Sequence, residues 1–178
     1  MSISRFHRSA LWRFFALAVL SFSLIGIFPK LARSSVVAPQ SSEAIVAQYY
    51  IEDEMAYLKR SRQSWLEIDL TRQRLIAWEG RSQVYAAIVS TGKDETPTPT
   101  GIFSIYIKLP EAQMEGEDYY ISDVPYVMYY DGSYGIHGAY WHNNFGIPVS
   151  HGCTNVAVDH AEWFYNWARV GTPVVVHY

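Results

Sequence analysis

The sequence predicts a mainly β domain with one helix near its C-terminal end, set behind an N-terminal leader. Three observations predict it. From Trp65 onward, apolar and polar residues alternate in short runs that suit half-buried strands. Those runs are separated by turn residues rather than by helical stretches, so the strand–helix–strand alternation of a doubly wound sheet never develops. Finally, 178 residues with 49% hydrophobic and 17% charged side chains suit one domain with a true core and exclude a disordered or collagen-like chain.

The leader comes first. Phe14 to Phe28 is an uncharged run of 15 residues, preceded by Arg5, Arg8 and Arg13 and followed by Pro29 and Lys30, which is the three-part layout of a secretory signal. A spanning helix needs about 20 apolar residues, so residues 1–34 are expected to be a cleaved signal, with an uncleaved anchor as the alternative. Ala32-Arg33-Ser34 offers the small residues a signal peptidase inspects. The first 34 residues hold five basic side chains and no acid, which leaves nine basic against seventeen acidic residues, or −8, for the rest. So acidic a body repels phosphate backbones, and nucleic-acid binding is disfavoured.

Residues 35–63 read as a tether with a short helix near 43–59, and residues 64–178 as the functional domain. Leu66, Ile68 and Leu70 share one strand face, and Leu75 to Trp78 follow the polar turn Thr71-Arg72-Gln73-Arg74, a hairpin pattern. Gln83–Ser90 is a third strand, ended by a loop from Thr91 to Gly101 whose Pro97 and Pro99 exclude helix or central strand. Ile102–Lys108 resumes as one strand. Leu109–Asp123, with Glu111, Glu115, Glu117 and Asp118, reads as an irregular flap over the site, since long loops in small domains tend to be functional. Strands at Tyr126–Tyr130 and Tyr134–Ile136 flank an Asp131-Gly132 turn. Asp159-His160-Ala161-Glu162 reads as a capping box for a helix whose Trp163, Phe164 and Trp167 enter the core, and Val174–Val176 is the last strand.

Between Ile136 and Asn155 lie three of the six histidines and the only cysteine, Cys153. A lone thiol in an exported chain has no disulfide partner within the molecule and is open to oxidation, so it needs a reason to be there. A neighbouring imidazole that holds or removes its proton would make it a nucleophile. His151 is two residues away and His137 arrives from another strand; either could serve. Gly138 and Gly152 remove bulk beside these groups, freeing backbone carbonyl and N–H groups to orient an imidazole or receive an oxyanion. Zinc binding by His137, His142, His151 and Cys153 is the alternative, but their spacing follows no structural-zinc pattern. A papain-like pair would place the cysteine before the histidine, the reverse of this order. A purely structural cluster is a third alternative. Tyr140 and Trp141, beside His137, are candidate substrate-binding residues, while His142, His160 and His177 read as bystanders.

Ile136-His137-Gly138 followed by Ser150-His151-Gly152-Cys153 resembles the signature of the L,D-transpeptidase catalytic (YkuD) domain. Ser90-Thr91-Gly92 with Thr96 to Phe103, Val124 to Met128 and His142 to Gly146 resemble further blocks of that family in order, over roughly Trp65 to Val176. The resemblance implies a β-rich, sandwich-like domain acting on peptidoglycan stem peptides. It places the nucleophile at Cys153, the base at His137, the orienting carbonyl at Gly138 and supporting or oxyanion roles at His151 and Gly152. The commonest form of the motif ends Cys-Ile/Val-Arg, whereas this chain has Cys153-Thr154-Asn155; Asn155 can hydrogen-bond a substrate but cannot offer a positive charge. The implied chemistry is acyl transfer through a thioester, forming 3→3 cross-links with an amine acceptor or trimming stems with water. It needs no metal or organic cofactor, and an exported monomer is expected, touching a membrane only through an uncleaved leader. A non-catalytic wall-binding module is the alternative of a different class.

Overall fold

The computed structural model describes residues 41–116 and 119–178; the leader lies outside them. Helix α1 (Ser42–Arg60) begins at the Ser41 cap, whose side chain accepts from the Ala44 N–H at 3.2 Å. It covers the stretch expected to be partly helical and is docked: Ile51 and Leu58 are buried with Trp65 and Val175 in a small cluster of their own. Among the described residues no helix is long and apolar enough to cross a membrane.

Nine strands follow: β1 (Ser64–Asp69), β2 (Arg74–Glu79), β3 (Ser82–Ser90), β4 (Gly101–Ser104), β5 (Ile107–Glu115), β6 (Tyr120–Asp131), β7 (Tyr134–Gly138), β8 (Thr154–Val156) and, after helix α2 (Val158–Trp167), β9 (Pro173–His177). Their order is β4-β9-β1-β2-β3-β8-β7-β6-β5. The β1–β2 hairpin has the expected position, pairing Ser64 with Glu79 through Asp69 with Arg74. Alternation along β1 sends Leu66 and Ile68 into the main core and Trp65 to the α1 side, so both of its faces are buried.

The sheet curls until its ends meet. Ile105 and Tyr106, which join β4 to β5, donate backbone N–H groups to Thr172 O and Tyr129 O, at opposite ends of the strand order. The two halves of the sheet thus face each other across one core, the sandwich-like form the resemblance implied. Phe164 and Ala161 of α2 and Ile105 lie in that core, each at most 1% exposed.

Three expectations need correction. The single strand at Ile102–Lys108 is two strands on opposite sheet ends, because Ile105 turns into the core while the apolar pattern runs on unbroken. The irregular flap at Leu109–Asp123 is a β-hairpin arm formed by β5 and β6, with pairs from Ile107–Tyr129 to Glu115–Tyr120. Both its faces meet solvent over much of its length, so its polar residues sit in strands without marking a loop; Pro110 is tolerated on an edge strand. Third, α2 starts after Ala157, which has no side-chain cap, and Asp159 lies inside the first turn, where its charge favours the helix dipole.

Candidate active site

The β7–β8 pair places the candidate residues. These strands run parallel with His137 in register with Asn155, so the two side chains share one face, and Cys153 precedes Asn155 by two residues. A cavity of about 350 Å³ opens above them, lined by His137, Trp141, His142, His151, Cys153 and Asn155, with Met114, Tyr119 and Ile121 of the arm as its roof. Of the residues singled out in sequence, those six line it. Tyr140 does not: it is exposed, donates its hydroxyl to Ser122 O at 2.7 Å and meets the cleft only by edge contact with Trp141.

His137 is buried, and its Nδ1 lies 3.0 Å from the Gly138 carbonyl. A carbonyl only accepts, so Nδ1 carries the proton and Nε2 keeps its lone pair. Burial pushes the imidazole down to about 4, against an upward pull from the Gly138 carbonyl and with a smaller downward push from His142. Burial also pushes the Cys153 thiol above its usual value, partly offset by a backbone hydrogen bond with Gly135. Both groups are therefore neutral near pH 7. The Trp141 ring lies beside His137 with ring centres 5.8 Å apart.

Gly138 leaves little room for a side chain, because a Cβ there would meet Pro125 Cγ at 2.8 Å and the Pro125 carbonyl oxygen at 3.2 Å. Gly152 sits at φ +114°, where a side chain would be strained and would strike the Tyr134 ring. Its backbone is held from both sides: its N–H donates to Ser150 Oγ at 3.0 Å, and its carbonyl accepts from Thr98 Oγ1 at 2.7 Å. Ser150 Oγ donates in turn to the Cys153 carbonyl at 2.5 Å. The Thr-Pro-Thr-Pro loop thus acts as a clamp on the cysteine turn, since Thr96 Oγ1 also reaches Ser150 O at 3.0 Å. Behind it, buried Gln73 binds both the N–H and the hydroxyl of Thr91, whose carbonyl receives the Val149 and Ser150 N–H groups.

Sequence reasoning put the Leu109–Asp123 stretch over the site without singling out its roof residues, and it passed over one histidine. His160 and His177 lie away from the cavity, bonded to Tyr85 and Glu67 at 2.7 and 2.9 Å. His142 instead lines it and touches Asn155. A signal for the roof was present in the alternation of Ala112 and Met114 with the polar Glu111, Gln113 and Glu115. Among the described residues no group of three or more His, Cys, Asp or Glu side chains could hold a metal ion.

A curled sheet thus brings a thiol, an imidazole and an amide together on one cleft. The family model of the L,D-transpeptidase catalytic domain (YkuD) matches residues 63–176, and the chain belongs to that family. It is similar to L,D-transpeptidase 2 of Mycobacterium tuberculosis, 33% identical over an alignment of 104 residues that covers 49% of this chain and 24% of that protein. The chain therefore spans about a quarter of that relative's length. Among solved structures, it matches an L,D-transpeptidase from Mycobacterium smegmatis with TM-score 0.61 and 26% identity, covering 65% of this chain and 59% of that one. The catalytic domain of the Enterococcus faecium L,D-transpeptidase matches with TM-score 0.60 and 28% identity over 66% of this chain and 98% of that one.

Proposed function

We infer that Cys153 attacks the carbonyl of the third, L-centred residue of a peptidoglycan tetrapeptide stem, and that the resulting thioester is passed to an amine of a second stem as a 3→3 cross-link. The observation that carries this reading is the convergence of Cys153, His137 and Asn155 on one cleft, with His137 Nδ1 committed to the Gly138 carbonyl. Because thiol and imidazole start neutral, the thiol proton moves to His137 Nε2 as the S–C bond forms. The C–N bond to the terminal D-alanine then breaks, and His137 returns the proton to the departing amine. In the second step the acceptor amine attacks the thioester carbonyl, its proton passes through His137, and the thiol is regenerated.

The backbone N–H of Cys153 would receive the oxyanion, since those of Ser150 and Gly152 are engaged within the turn, with Gly152 supplying the turn's conformation and His151 a supporting donor. Trp141 forms a wall for the stem, and Asn155 supplies a neutral hydrogen bond where the commoner motif has a cation. Residues 1–34 would export or anchor the chain, 35–63 tether it and 64–178 carry the chemistry as a monomer in the periplasm or wall space. A relative, LdtMt1, has been solved in complex with imipenem; carbapenem-type β-lactams are accordingly expected to add once to Cys153.

The test is incubation of the protein with a tetrapeptide muropeptide and mass analysis of the products. A dimer equal to two muropeptides less one D-alanine supports cross-linking. A tripeptide plus free D-alanine as the sole products would reassign the enzyme as an L,D-carboxypeptidase. No turnover, with intact stems bound equally by the wild type and Cys153→Ala, would overturn the enzymatic reading in favour of a wall-binding module.

A further inference from the structure

His142 is fixed on both ring nitrogens. Its Nδ1 lies 3.1 Å from the Asn144 backbone N–H, and its Nε2 lies 2.8 Å from Nδ2 of the Asn155 amide. The loop that carries it is stapled to β3: the Ser90 hydroxyl donates to Asn144 O at 2.7 Å, and the Gly146 N–H to Val89 O at 2.9 Å. The ring also lies against Phe145, with centres 5.1 Å apart. So firmly held an imidazole beside a buried cleft amide has more to do than fill surface.

The two hydrogen bonds decide the ring's protonation. A backbone N–H can only donate, so Nδ1 must present its lone pair, and the proton of the neutral ring is on Nε2. An N–H on Nε2 cannot face an NH2 group at 2.8 Å. The backbone donor is immovable, whereas the amide can turn over by exchanging two nearly isosteric atoms. Its oxygen therefore belongs against the ring. Burial pushes His142 below the usual histidine value, which favours the neutral ring that this pairing needs. The ring is the one protein hydrogen-bond partner of the Asn155 side chain among the described residues, so its NH2 group is left for the cleft that Asn155 lines.

We propose that His142 is a positioning residue: by taking the Asn155 amide oxygen, it fixes the NH2 group of Asn155 as a donor to a carbonyl or carboxylate oxygen of the stem peptide. This rests on the reading of the cleft as the stem-peptide site. In register with His137 and two residues after Cys153, that donor stands beside the reacting groups without exchanging protons with the substrate. An amide free to turn would present its oxygen to the substrate half the time and repel the same group.

The full chain is tested on the tetrapeptide muropeptide as wild type, His142→Phe, His142→Gln, Asn155→Ala and the double variant His142→Phe/Asn155→Ala. Phe keeps the ring packing and loses both hydrogen bonds, while Gln can still donate to the Asn155 oxygen. His142→Phe is expected to raise KM about tenfold with kcat within about twofold, in line with one neutral hydrogen bond. His142→Gln should bring KM back toward the wild-type value. In the Asn155→Ala background, His142→Phe should change KM no further. Equal damage from His142→Phe with or without Asn155, or failure of His142→Gln to restore KM, would overturn the positioning role while leaving the enzyme intact. A wild type without turnover would overturn the function reading itself, and the positioning role with it. Nitrogen NMR of the ring then adds whether the Nε2–H tautomer is present; a protonated Nδ1 sinks the proposal under either outcome.

Discussion

At the turn that carries Cys153, Gly152 is bonded through both its N–H and its carbonyl, and Ser150 through its N–H, carbonyl and hydroxyl, to groups supplied by the Thr91–Thr98 loop and by the turn itself. Across the same cavity, the β5–β6 arm is held chiefly by its own ladder and contributes Met114 and Ile121, a cross-strand pair, to the roof. The turn that carries the sulfur is held by hydrogen bonds at nearly every polar group of Ser150 and Gly152. The arm offers apolar surface on two strands that meet solvent, with bends where Asp123 and Tyr126 adopt positive φ on either side of Pro125. On the proposed reading, the difference gives reactivity and substrate capture to two differently held parts, so the two should separate in kinetics.

The largest effect expected is on the turn. Cys153→Ala should lower turnover at least a thousandfold, about 4 kcal/mol in the transition state, while circular dichroism and Tm stay near wild type. His137→Ala should follow closely and exceed His151→Ala; the opposite ranking would exchange their roles. Residual turnover above a tenth of wild type in Cys153→Ala would break the comparison at its base.

The ionisation of the pair sharpens it next. With the thiol raised by burial and His137 lowered to about 4, the resting pair is neutral across the physiological range. Only the thiolate alkylates, and its fraction rises about tenfold per pH unit below the thiol's folded pKa. The iodoacetamide rate at Cys153 should therefore climb steadily from pH 6 upward, past the point where an ordinary cysteine levels off. A flat rate between pH 5 and 8 would mean a preformed thiolate–imidazolium pair instead.

The clamp comes third. Thr98→Val keeps the shape of a side chain that is 3% exposed but leaves the Gly152 carbonyl and the Gly92 N–H without their partner. Two unpaired groups next to the cysteine turn should cost about 1–3 kcal/mol, seen as a Tm lowered by roughly 2–8 °C. The alkylation rate of Cys153 should change as well, because the turn is released; an unaltered rate and Tm would show that the clamp is ornamental.

The smallest effect belongs to the arm. Met114→Ala with Ile121→Ala removes roof surface without touching the ladder. KM for the stem peptide should rise severalfold, at about 25 cal/mol for each Å² of apolar roof that no longer covers the peptide, with iodoacetamide alkylation equal or faster. A fall in alkylation would make the arm part of the reactive machinery and erase the contrast with the turn.

The sequence by itself determined the strand-rich class, the β1–β2 and β6–β7 turns, the helix that brings Phe164 into the core, and the two short motifs that carry His137 and Cys153. These are legible because each depends on residues close together in the chain: alternation sets a strand's faces, and a motif keeps its reactive groups within a few bonds of their glycines. The tertiary structure alone decided where one apolar run is divided, so that β4 pairs with β9 and β5 with β6 at opposite ends of the sheet. It alone turned the acidic stretch after Lys108 into a hairpin, because cross-strand backbone pairing can hold strands that are mostly polar and exposed and bury too little to be read as strands from sequence. And it alone joined His142 to Asn155, Gln73 to Thr91 and Thr98 to Gly152, residues 13, 18 and 54 positions apart. Such pairings come from the path by which the sheet curls on itself, and no local pattern encodes that path.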